Sequence, residues 1–137
     1  MPKIFAAGIV STNLSERDAV FSPDGNEFYF TLWSGKFGTI VFVKQENGQW
    51  LPPRVAPFSG KYSDLEPFVA ADGRRLCFAS NRPLEAGGEA KDYDIWFVER
   101  EGERWGAPKN IGAPGNGNDD IYWVKSGILL QFKKGLK

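Results

Sequence analysis

One passage occurs twice in this chain. Asp18-Ala-Val-Phe-Ser-Pro-Asp-Gly-Asn-Glu-Phe-Tyr-Phe-Thr31 returns as Glu66-Pro-Phe-Val-Ala-Ala-Asp-Gly-Arg-Arg-Leu-Cys-Phe-Ala79. Each copy is two short apolar runs around an Asp-Gly pair, and Asp-Gly supplies the positive φ that a tight hairpin turn needs. The likeness continues downstream: Thr39–Val43 answers Asp94–Val98, and Asn47-Gly-Gln-Trp50 answers Glu101-Gly-Glu-Arg-Trp105. Each unit therefore reads as four strands, a to d, and the chain as all-β.

The spacing locates an insertion. Asp24 and Asp72 are 48 positions apart, whereas Ile40 and Ile95 are 55 apart, so the second unit carries seven extra residues between strands b and c. That connection, Asn81 to Tyr93, is polar and glycine-rich. A four-stranded repeat of about this length matches the blades of a β-propeller rather than leucine-rich or helical solenoids. We expect one blade over about 18–56 and a second over about 66–112. A third starts on schedule at Asp119 and then skips its hairpin, leaving a strand remnant over about 120–125. The expectation is a single partial domain over 1–137: two complete blades, a partial third and an incomplete ring.

The residues that carry these repeats resemble the WD40-like, TolB-type β-propeller repeat (PD40) family. They are Phe21-Ser-Pro-Asp-Gly25, Ala71-Asp-Gly73 followed by Leu76-Cys-Phe-Ala-Ser-Asn-Arg-Pro83, and Asp94-Ile-Trp-Phe-Val98 with Trp105-Gly-Ala-Pro108. Members usually hold about six blades, more than this chain has room for, so it reads as a fragment, an internally deleted member or an engineered chain. The resemblance implies a binding module of the bacterial envelope, hence a periplasmic setting. The chain's own opening residues do not show the extent of a signal peptide.

Composition narrows the function classes. Seventeen basic residues balance seventeen acidic ones, so the long-range field that draws in nucleic acid is missing. No apolar run approaches the roughly 20 residues of a spanning helix. The absence of histidine removes the usual general base and the commonest metal ligand. Ser22, Ser80 and Cys77 then have no histidine to activate them, and Cys77 alternates within an apolar strand, as a core residue would. Asn116-Gly-Asn-Asp-Asp120 lacks the downstream glutamate of an EF-hand loop. We expect no catalytic, cofactor-binding or metal-binding residues.

In a four-stranded blade the d-to-a and b-to-c connections open on one face, the natural binding surface. Here it collects Asp64, Glu66, Asn81, Arg82 and Asp92, alongside Arg17 and Lys61 and, further on, Asn116, Asn118 and Asp119. Two readings stand for several of these. Asp18 and Glu66, at equivalent positions, either converge on a cation or basic peptide or serve their own backbone. Arg82 closes its loop on Asp92 or Asp94, or captures a ligand. Trp50 and Trp105 recur as blade-packing residues, while Trp33, without a counterpart, either anchors a partner or is partly buried. The leading expectation is a non-enzymatic module that binds a protein or peptide through the long-loop face. The alternative is the propeller part of a peptidase or polysaccharide lyase whose chemistry lies elsewhere. Uncovered blade faces would also favour self-association.

Overall fold

The computed structural model describes residues 1–111, and these form two antiparallel sheets with no helix. The first sheet contains β1 (Ser15–Phe21), β2 (Glu27–Trp33), β3 (Gly38–Glu46), β4 (Gln49–Trp50) and β5 (Arg54–Val55). The second contains β6 (Asp64–Val69), β7 (Arg75–Ser80), β8 (Asp94–Glu101), β9 (Arg104–Trp105) and β10 (Lys109–Asn110). In each, strands a, b and c pair in sequence order, and both remaining short strands pair with strand c. They are one fourth strand in two pieces. Pro52-Pro53 in the first sheet and Pro108 in the second lie between the pieces, where a ring without an N–H interrupts the ladder. The two sheets are four-stranded propeller-type blades. The expected third-blade remnant, about 120–125, lies outside the described residues. Among the described residues no helix is long and apolar enough to cross a membrane.

The repeated turns take the same form in both blades. Gly25 N–H donates to Ser22 O at 2.9 Å with φ 73°, and Gly73 N–H donates to Ala70 O at 2.8 Å with φ 68°. Asp24 Oδ1 and Asp72 Oδ1 then accept the N–H groups of Asn26 and Arg74. Asn47-Gly48, both left-handed, turns β3 into β4, the geometry a two-residue hairpin loop prefers.

Packing places alternate faces of the blades against one another. Tyr29, Ile40, Ala56 and Phe58 of blade 1 form one core with Val69, Leu76, Phe78, Trp96 and Val98 of blade 2. Full burial of each such side chain stabilises by roughly 1.5–3 kcal/mol, so this seam is the main adhesive between the blades. Trp105 joins the seam, with its indole N–H donating to Tyr29 Oη at 2.9 Å. A second core, Phe28, Phe30, Val41 and Val43, lies on the opposite face of blade 1, covered by Val10 with Ala6 and Ile9. Trp50 packs there, so the recurring tryptophans occupy the same face of their respective blades.

At Gly38 the backbones of the two blades approach closely across the seam. A Cβ there would lie 2.7 Å from Asp64 O and would overlap the Leu65 side chain. Only glycine lets β3 begin so near β6.

Candidate binding face

The long-loop face is rooted in a buried polar cluster. Asp64, the first residue of β6, is fully buried, and Arg82, two residues past β7, is 7% exposed. Register explains their meeting: Asp64 pairs with Ser80 across β6 and β7, which brings the residues just beyond Ser80 over the start of β6. Arg82 Nη2 lies 2.8 Å from Asp64 Oδ1 and also donates to Phe58 O at 3.0 Å, while its Nε donates to Ser80 Oγ at 2.8 Å. The second carboxylate oxygen accepts from Ser59 Oγ at 2.8 Å. The guanidinium also lies over the rings of Phe78 and Trp96. A buried ion pair is tolerated only when its remaining donors and acceptors are bonded, and here they are largely bonded.

This differs from the expected loop closure by Arg82 on Asp92 or Asp94. Asp92 and Asp94 take Lys91 instead, its ammonium lying 3.1 Å from Asp92 Oδ1 and 2.8 Å from Asp94 Oδ2, while Lys91 N–H closes the loop by donating to Asn81 O at 2.8 Å. The hydrogen bond to Asp94, aided by the one to Asp92, holds the Lys91 ammonium above its ordinary pKa. Arg82 goes elsewhere because sheet pairing brings Asp64 under it, although Asp92 and Asp94 are nearer in sequence.

Ser63 fastens the neighbouring loops. Its Oγ accepts from Gly38 N–H at 2.9 Å and from the Tyr93 hydroxyl at 2.7 Å, so one hydroxyl joins the starts of both strands c. Asn81 Oδ1 accepts Ser63 N–H, and Asn81 O accepts Lys91 N–H. Of the five residues assigned to this face from sequence, Asp64 and Arg82 are thus buried in its foundation. Asn81 is half-buried and braces it, and Asp92 is half-buried beside Lys91. Glu66 is exposed.

Asp18 and Glu66 share an unusual backbone. Both have left-handed φ, 54° and 55°, and each sits where its strand carries one residue more than its partner: Arg17 to Val20 in β1, Leu65 to Phe68 in β6. These are β-bulges on the strands that meet across the seam. A non-glycine residue in such a conformation costs of order 1–3 kcal/mol, so both bulges are held by their surroundings. Glu66 N–H donates to the buried Thr31 Oγ1 of blade 1, one of those restraints. Arg17 lies between the carboxylates, with Nε 2.7 Å from Asp18 Oδ2 and Nη2 4.0 Å from Glu66 Oε1. The same guanidinium covers the half-buried Trp33 ring at 5.8 Å.

Around this foundation the face presents apolar side chains. Leu14, just before β1, Phe37, in the b-to-c loop of blade 1, and Leu84, in that of blade 2, are exposed, Leu14 and Leu84 by more than 60%. Sequence reading emphasised charges and missed them, although each lies in a connection that topology assigns to this face.

The opposite face was also missed. A cleft of about 810 Å³ lies among the a-to-b and c-to-d turns of the two blades, with Glu27, Lys44 and Arg100 in its lining. Buried Glu27 is bonded to Arg100 of the other blade, to Lys44 at 3.4 Å and to the Tyr29 hydroxyl at 2.8 Å. Burial, followed by the Glu27 charge, raises the Tyr29 phenol above its ordinary pKa, so it remains a donor. Of the serines singled out from sequence, Ser22 Oγ donates to Asp24 Oδ1 and to Glu27 O, and fully buried Ser80 Oγ accepts from Arg82 Nε. Burial pushes the Cys77 thiol up to about 11. Among the described residues no three of His, Cys, Asp and Glu gather as metal ligands. Compared with known proteins, the chain matches no protein-family model and no curated protein.

Proposed function

We propose that this protein is a non-enzymatic interaction module that binds a protein or peptide through the long-loop face. The observation that carries the reading is the combination of exposed Leu14, Phe37 and Leu84 on that face with loop roots fixed by Arg82–Asp64, Lys91–Asp94 and Ser63. Apolar anchors on loops that are already ordered at their bases lose little freedom on binding, and polar residues around them supply a rim. Arg17, Glu66 and Trp33 at the inner edge add a charged and aromatic margin suited to peptide contacts. The resemblance to TolB-type repeats supports the same class of function and an envelope setting.

Selection of displayed peptides on the full chain, followed by titration calorimetry, tests this. Leu84→Asp and Phe37→Asp should each weaken the selected peptides about tenfold or more, equivalent to 1.4 kcal/mol. Val55→Asp, on the exposed fourth strand of blade 1, should leave binding unchanged. Failure to enrich any peptide, or binding indifferent to the Leu84 and Phe37 changes, would refute the assignment.

A further inference from the structure

The segment preceding β1 occupies the position of a neighbouring blade. Shifts of 48 and 55 residues relate Phe28, Phe30, Val41 and Val43 of blade 1 to Leu76, Phe78, Trp96 and Val98 of blade 2. The second set is the face by which blade 2 receives blade 1. The first set is therefore also a blade-receiving face, and what covers it is Ala6, Ile9 and Val10. The aromatic contacts repeat as well. Tyr29 meets Trp105 edge-on at 6.3 Å in the seam, and Phe5 meets the equivalent Trp50 edge-on at 5.6 Å. Phe5 also packs against Phe21 and Phe28.

We propose that this segment is a detachable plug, and that the face beneath it accepts the opposite blade face of a second copy of this chain. That opposite face consists of Phe68, Cys77, Ala79, Ile95 and Phe97 of blade 2. They are the equivalents of Val20, Tyr29, Thr31, Ile40 and Phe42, which blade 1 turns toward the seam. The existing seam is thus the template for the contact between copies. Phe68 is 52% exposed and the other four are half-buried, whereas Tyr29, Thr31 and Ile40 are buried. The plug is separable in kind from the blades: Phe5 and Ile4 are exposed, and among the described residues its backbone-to-backbone bonds, such as Gly8 N–H to Ser11 O and Val10 N–H to Ala6 O, are internal to it, with Thr12 N–H donating to Glu16 where the segment joins β1. Front-to-back contacts join unlike faces, so copies would add in series rather than stop at a two-fold dimer.

Sedimentation velocity over a micromolar concentration series, with circular dichroism to verify folding, tests the proposal. Phe5→Asp should tighten self-association about tenfold or more relative to the unaltered chain. Adding Phe97→Asp should abolish that gain, as should an excess of free peptide spanning residues 1–13. Phe5→Ala provides a milder displacement. A Phe5→Asp protein that folds and shows no gain would overturn the proposal, as would association that persists with Phe97→Asp. Failure of both Phe5 variants to fold would show the segment to be a fixed part of the core and overturn it equally.

Discussion

Glu27 and Lys44 face one another across β2 and β3, and Arg75 and Glu99 face one another at the equivalent register across β7 and β8, with the signs exchanged. The exchange matters because the environments differ. In blade 1 the carboxylate is buried at the seam, where Arg100 of blade 2 reaches it and Tyr29 donates to it. In blade 2 the carboxylate is partly exposed and takes Lys109 of its own sheet at 3.0 Å in addition to Arg75 at 2.7 Å. One pair therefore joins blades, and the other secures a fourth strand to its own blade. The long-loop end shows the same division. Asp64 and Arg82 form the buried foundation, while their blade 1 equivalents, Glu16 and Ser34, bond locally to Thr12 and Phe37 O. Equal backbone registers thus carry unequal energies, decided by what packs above them.

The largest difference is expected at the long-loop end. Arg82→Leu leaves the buried Asp64 carboxylate without its cation and should cost about 3–5 kcal/mol in urea unfolding. Ser34→Ala, at the equivalent position, should cost less than about 1 kcal/mol. Similar losses for the two would break the comparison.

A smaller contrast is expected between the sign-exchanged pairs. Glu27→Ala removes the acceptor of Arg100 and Tyr29 and should cost about 2–3 kcal/mol, whereas Arg75→Ala should cost about 1 kcal/mol or less. The Glu27 loss should shrink when Arg100→Ala is already present, and a double-mutant cycle reads that coupling directly. Additive losses would show that the inter-blade contact contributes nothing.

The smallest effect is in acid. Lys109 first, then Arg75, holds the Glu99 carboxyl below its ordinary 4.5. Between that lowered value and 4.5 the unfolded chain binds more protons, so stability rises with pH across the window and is lost as pH falls through the folded pKa. Glu99→Gln should therefore flatten the acid limb of a stability–pH curve and leave its slope above the carboxylate range unchanged. An acid limb as steep as that of the unaltered chain would remove Glu99 from the account.

Much of the architecture was legible because it is local and repeated. The Asp-Gly turns, the alternating strands and the 48- and 55-residue shifts describe both blades, and the long connection after Ser80 ends before Asp94, where β8 begins. The bulges were not legible. Asp18 and Glu66 could be aligned, but their left-handed backbones depend on packing between β1 and β6. Arg82 was assigned to Asp92 or Asp94, the acids that open strand c at the far end of its loop. The Asp72–Gly73 turn sets Phe68 opposite Cys77, but it is the bulge at Glu66 that shifts Asp64 onto Ser80 and so under Arg82. The remnant strand and the residues Asn116, Asn118 and Asp119 lie outside the described residues.

By itself, the sequence determined the repeating unit, because hairpin turns and apolar alternation act over a few residues and need no distant partner. Only the tertiary structure decided which of two equivalent residues became a buried tie and which a surface contact, and that Phe5–Ser11 covers blade 1. Those outcomes depend on desolvation, which is set by whatever the fold brings against a side chain rather than by its neighbours along the chain.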